Sequence, residues 1–214
     1  MFFSKIKKLI FFHAPKTAGS SLKNFLVRNC KDGSYYNHLF YDLCLKETKY
    51  DIKSLVEKTN TIKNPFFSHI TQSEFVKLSE GLNLNLDNFA EIVIVRNPYD
   101  RLLSYYNFTL YSNYPTIDLL LDDLEHSNDI GHKLFFRSQL DYIKQPVSKN
   151  LLIFKYEELE KCELFLQQYL KTSDRLPEIN VTEYNKHKVL DYKTKQRCYD
   201  LFKDEFEFLG YERT

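Results

Sequence analysis

The sequence predicts an α/β fold, a central parallel sheet with helices on both faces. Three observations carry that prediction. Short apolar runs at 9–12, 90–95 and 151–154 are each followed by a stretch with helical spacing, and strands alternating with helices imply a parallel sheet. The run 90–96 is β-branched and apolar on both faces, as a central parallel strand must be. Lys16, His69 and Arg96 each fall just after a predicted strand, at the sheet edge where such folds bind ligands.

Taken in order, Leu9-Ile10-Phe11-Phe12 reads as a short buried strand, and the residues from Ser20 carry apolar side chains at helical spacing. Residues 34–45 are aromatic-rich and unassigned, and 51–58 reads as a short helix broken at Asn64-Pro65. Phe66-Phe67-Ser68-His69-Ile70 reads as a strand ending near His69. Thr71-Gln72-Ser73-Glu74 is a capping box that opens a helix to about Leu78. Asn97-Pro98 stops the central strand, and Pro98 suits the first turn of a helix running to about Leu110. Residues 117–124 read as a helix whose acidic face is solvated, and 134–143 as a further helix. The strand 151–154 leads into a helix over 157–170, and 191–208 reads as one amphipathic helix.

A length of 214 residues suits one sizeable core, so residues 1–214 are expected to form a single domain. Hydrophobic residues at 43% and charged residues at 28% describe a globular chain, and a net charge of +1 argues against a nucleic-acid partner. Cys30, Cys44, Cys162 and Cys198 have no zinc-like spacing and read as free thiols. No stretch reaches the roughly 20 apolar residues of a membrane span, and the first residues lack a signal-peptide core. The expectation is a cytoplasmic protein, bacterial or viral.

The loop His13-Ala14-Pro15-Lys16-Thr17-Ala18-Gly19-Ser20-Ser21 joins strand to helix and has what an anion site needs. Gly19 permits close backbone approach, Thr17, Ser20 and Ser21 offer hydroxyls, and the helix N-terminus offers N–H groups and the positive end of its dipole. Lys16 adds a full charge, and no acidic residue occurs before Asp32. The loop is not a Walker A motif: no lysine follows Gly19, and the first glycine is missing. A second constellation, Val95-Arg96-Asn97-Pro98-Tyr99-Asp100-Arg101-Leu102-Leu103-Ser104-Tyr105-Tyr106, puts Arg96 at a strand end and Ser104 two helical turns on. Arginine binds phosphate bidentately and a hydroxyl can complete the shell.

Both motifs resemble those of sulfotransferases that use 3′-phosphoadenosine 5′-phosphosulfate (PAPS), in the carbohydrate branch that includes heparan-sulfate 2-O-sulfotransferase. The resemblance is firm over about 7–30 and 90–110, with echoes at Phe67-Ser68-His69, at 139–143, at 154–159 and at 206–211. It implies a P-loop-like three-layer α/β/α fold. It implies that Pro15, Lys16, Thr17, Ala18, Gly19, Ser20 and Ser21 hold the 5′-phosphosulfate, and that Arg96 and Ser104 hold the 3′-phosphate. It also implies that His69 is the catalytic base with Lys16 as catalytic cation, that 3′-phosphoadenosine 5′-phosphate (PAP) is the product, and that the acceptor is a hydroxyl, by family a carbohydrate. Nothing in the sequence requires a metal. His13 reads as structural, His132 has no neighbouring motif, and His38, His126 and His187 read as surface residues. Arg101 reads as a helix-surface partner of Asp100 or of the loop, with ligand contact as the alternative. The basic segment 184–188 is left between a cover for the nucleotide, a binder of an anionic acceptor and a solvated charge run. The competing functions are a nucleotide-dependent kinase and an inactive PAP-binding protein.

Overall fold

Alternation with period two builds the sheet. The computed structural model describes residues 1–32, 34–35, 69–81, 85–109, 114–126, 136–143, 148–179 and 190–213. Its elements are β1 (Phe2–Ser4), β2 (Leu9–Phe12), α1 (Gly19–Asn29), β3 (Ser34–Tyr35), α2 (Gln72–Gly81), β4 (Ala90–Val95), α3 (Pro98–Thr109) and α4 (Ile117–His126), followed by a 3-10 turn (Gln139–Tyr142). Then come β5 (Leu151–Lys155), a second 3-10 turn (Tyr156–Glu158), α5 (Leu159–Leu170), α6 (Tyr192–Leu201) and α7 (Lys203–Leu209). The sheet runs β3-β1-β2-β4-β5. The expected parallel core is β2, β4 and β5, with Phe11 opposite Ile92 and Val93 opposite Ile153.

Leu9, Phe11, Ile92 and Ile94 point to one face and pack with Leu22, Phe25 and Leu26 of α1 and with Cys162 and Leu166 of α5. Ile10, Phe12, Val93 and Val95 point to the other, against Phe75 of α2, Tyr142 and Leu209 of α7. Each such buried side chain contributes about 1.5–3 kcal/mol, so both helical layers are anchored by the central strands. A third cluster joins α3, α4, α6 and α7 through Leu102, Tyr106, Leu120, Cys198 and Phe206. Cys30, Cys162 and Cys198 are free and buried. No helix among the described residues is long and apolar enough to cross a membrane.

Several local readings change. β1 and β3 add an antiparallel edge that the sequence did not announce. The hairpin into β2 turns at Lys8 (φ 49°), and the Asp32 carboxylate pins it by accepting from Ser4 Oγ at 2.6 Å and from the Ile6 N–H at 2.7 Å. The capping box forms as expected: the Thr71 N–H donates to Glu74 Oε2 at 2.7 Å and the Glu74 N–H to Thr71 Oγ1 at 3.2 Å. The helix expected over 134–143 is, where described, a 3-10 turn capped by Ser138. The expected last helix breaks at Phe202 into α6 and α7. The acidic face of α4 is not merely solvated, because Arg197 of α6 reaches Asp118, Asp122 and Glu125 at 3.4, 2.7 and 3.1 Å. The helix at 51–58, the strand residues 66–68, His38, His132, His187 and the segment 184–188 lie outside the described residues.

Candidate functional site

The β2–α1 loop is held in an unusual backbone shape. Lys16 (φ 68°) and Ala18 (φ 64°) both take the left-handed conformation, which non-glycine residues adopt at a cost of roughly 1 kcal/mol or more each. The loop keeps it because its carbonyls are gripped. Thr17 is fully buried and its hydroxyl donates to Ala14 O at 2.8 Å. Arg101 Nε donates to Pro15 O at 3.3 Å, and Arg96 Nη1 to Lys16 O at 3.3 Å. Ala18 offers no side-chain cap, and the first helical hydrogen bond runs from the Leu22 N–H to Ala18 O, so the amides of Gly19, Ser20 and Ser21 lie ahead of it at the helix mouth. This is the geometry of an anion-binding helix N-terminus.

Two of the three expected hydroxyls have other work. Thr17 closes the turn, and Ser21 Oγ accepts from the Ile179 N–H at 3.4 Å. Gly19 is also required for a reason other than the one its position in the loop suggests. A Cβ there would lie 1.6 Å from His13 Nε2, so the imidazole of His13 occupies the space a side chain would need.

Lys16 and Arg96 are brought together across 80 residues of sequence, the Arg96 guanidinium reaching the Lys16 carbonyl. Arg96 leaves the end of β4, stacks its guanidinium 4.1 Å over the Tyr156 ring, and keeps Nε buried with no hydrogen-bond partner among the described residues. Lys16 Nζ rests 4.1 Å over the exposed ring of Phe108. Phe108 is one turn beyond half-buried Ser104 on α3, so the two share a face of the helix. Burial, and then the Arg96 charge, lower the Lys16 ammonium to about 8. Among the described residues neither cation has a carboxylate partner. Two cations crowded at a helix N-terminus are an arrangement that an anion would relieve.

His69 packs against His13 at the start of the loop. It is nearly buried, lies 4.4 Å ring to ring from His13, and donates from Nδ1 to His13 O at 2.8 Å. A carbonyl only accepts, so Nδ1 carries the proton and Nε2 holds the lone pair of the neutral ring. Tyr142 fixes the His69 peptide by donating to its carbonyl at 3.1 Å, and the capping box holds the next turn of chain. Arg137 grips Glu74 of that box at 2.9 Å. Burial, opposed by the bond to His13, lowers the His69 imidazole to about 4. Burial and the neighbouring His69 push His13 well below the ordinary histidine value. Both rings are neutral at pH 7.

Residues beyond the expected set complete the site. Arg101 is not on the surface: it is 1% exposed, pairs with Glu205 rather than Asp100, and reaches the Pro15 carbonyl. The expected link to the loop is made, through Pro15 O, whereas its ion pair is with Glu205 of a distant segment and not with Asp100. Gln139, visible beforehand only within a family echo, brackets the Arg96 peptide, accepting from its N–H at 2.7 Å and donating to its carbonyl at 2.9 Å. Glu157 accepts from the Asn97 N–H at 2.8 Å and steadies the start of α3. Among the described residues no group of His, Cys, Asp or Glu is arranged to hold a metal ion.

The model of the sulfotransferase family matches residues 1–161. No curated protein and no solved structure matches the chain.

Proposed function

The chain belongs to the sulfotransferase family, and from that premise we propose that it moves the sulfuryl group of PAPS to a hydroxyl of a carbohydrate acceptor, leaving PAP. The observation that carries the proposal is the pair of cations, Lys16 and Arg96, with no carboxylate partner among the described residues and set at the mouth of α1. Residues 15–21 hold the 5′-phosphate end through the helix-mouth amides and Lys16. Arg96 and Ser104 take the 3′-phosphate, with the Arg96 guanidinium as the charged donor. PAPS supplies a sulfuryl group already joined to a good leaving phosphate.

The chain's own residues then have three tasks. The loop and Arg96 fix the donor so that acceptor oxygen, sulfur and leaving oxygen can lie in line. Lys16 meets the charge that grows on the leaving phosphate oxygen. His69 takes the hydroxyl proton on Nε2, the nitrogen left basic by the bond from Nδ1 to His13 O. Burial holds the free ring near 4, which is low for a base, and an anion bound at the loop would favour the imidazolium. The carbohydrate acceptor follows the family resemblance.

Transfer of sulfur-35 from labelled PAPS across a panel of hydroxyl acceptors tests the reaction, and turnover with none of them would count against it. The pH profile tests the residues. In the free enzyme His69 must be neutral, which holds above about 4, and Lys16 must be charged, which holds below about 8. kcat/KM should therefore stay level from pH 6 to 7.5 and fall about tenfold per unit above pH 8. Lys16→Arg should remove that alkaline limb, because a guanidinium stays protonated. An alkaline limb unchanged in Lys16→Arg would contradict the role given to Lys16.

A further inference from the structure

We propose that Glu205, in α7 and beyond the residues the family model matches, is a positioning residue that holds the two phosphate-facing segments in register. The proposal rests on the reading that Arg96 takes a 3′-phosphate. Glu205, Gln139 and Arg101 are 1%, 0% and 1% exposed, so their polar groups must satisfy one another. Glu205 Oε1 accepts from the Gln139 N–H at 2.8 Å and Oε2 from Gln139 Nε2 at 2.6 Å. Gln139 passes that constraint to Arg96 by bracketing its peptide on both sides, which fixes where the guanidinium leaves β4.

The other arm runs through Arg101. Its Nη1 lies 3.5 Å from Glu205 Oε1, its Nη2 donates to Arg137 O at 2.7 Å, and its Nε donates to Pro15 O, beside Lys16. One carboxylate thus ends both chains, and both finish on backbone atoms at or next to the two cations. Only a carboxylate fits: both Gln139 groups facing it are donors, and Arg101 brings a buried charge. A purely stabilising ion pair would not need to reach the two anion-binding segments.

Glu205→Asp separates the arms. It keeps the charge near Arg101 but withdraws the oxygens from Gln139 by one methylene. Gln139→Met cuts the same arm from the other end. Titration calorimetry with PAP, and with AMP, which lacks the 3′-phosphate, is run well below the melting temperature of each variant. Both variants should bind PAP about tenfold more weakly and AMP within about twofold of the parent. Glu205→Gln, which also uncovers the Arg101 charge, should weaken both ligands. A role in stability alone would lower melting temperatures and leave both affinities parental, and that result overturns the proposal. Equal losses of PAP and AMP in folded Glu205→Asp overturn it too. Arg96→Ala serves as the reference: if it weakens PAP while folded Glu205→Asp and Gln139→Met do not, the Glu205 role alone falls. If Arg96→Ala binds PAP like the parent, the 3′-phosphate reading is what fails.

Discussion

Replacing His69 with asparagine should lower turnover by roughly 10²–10⁴-fold while PAP affinity stays within about twofold of the parent. Asparagine is chosen because its amide nitrogen falls near the place of Nδ1 and can keep the 2.8 Å bond to His13 O. What it removes is Nε2, the only atom assigned to the acceptor's proton. Alanine would also empty a nearly buried site and orphan that carbonyl, so its effect would mix chemistry with packing. PAP should lose little, because at pH 7 the His69 ring is uncharged and its contacts run to His13 rather than to Lys16 or Arg96. Single-turnover rates and calorimetry on the same preparation separate the two quantities. Folded His69→Asn with near-parental turnover would remove His69 from the mechanism, and His13, whose ring touches His69, would be the next residue to test.

Lys16→Ala should lower kcat by roughly 10²–10³-fold, the usual cost of one donor aimed at developing charge. The fold should tolerate it. Arg96 holds the loop through the Lys16 carbonyl, which any residue supplies, and alanine meets the same left-handed backbone cost as lysine at φ 68°. What is lost is the ammonium parked over Phe108. Because charge on the leaving oxygen grows between ground and transition state, the loss should appear in kcat and not only in KM. Raised KM for PAPS with unchanged kcat would reduce Lys16 to a residue that binds donor and transition state alike.

Much of this arrangement was legible because it depends on local rules. The alternation in Leu9-Ile10-Phe11-Phe12 and in 92–95 divides cleanly between the two helical layers, since a strand's side chains must alternate. The strand-end rule placed Lys16 and Arg96 at one edge, and they are joined by a hydrogen bond across 80 residues of sequence. The capping box at Thr71 needed only four residues. What was not legible depends on distant partners. Arg101 looks like any arginine on a helix until Glu205 and the Pro15 carbonyl are brought to it. Gln139 gains meaning only from the Arg96 peptide it brackets. The break at Phe202 is hidden by an amphipathic pattern that runs on through it: Phe202 and Phe206 both pack into the cluster around α3. The three residues of β1 are too few to show a period, and they pair as a strand with β2 and with the more distant β3, in a hairpin that Asp32 pins.

The central claim is that Lys16 and Arg96, which meet at the mouth of α1, divide two phosphates of one nucleotide between them. Titration of PAP and AMP into the parent and into Arg96→Ala tests it most directly. The parent should bind PAP at least about 30-fold more tightly than AMP, since a half-buried charge-assisted pair is worth on the order of 2 kcal/mol. In Arg96→Ala that advantage should collapse to within a few-fold, through weaker PAP binding at nearly constant AMP affinity. A parent that binds PAP and AMP equally, or an Arg96→Ala that keeps the full preference, would contradict the account.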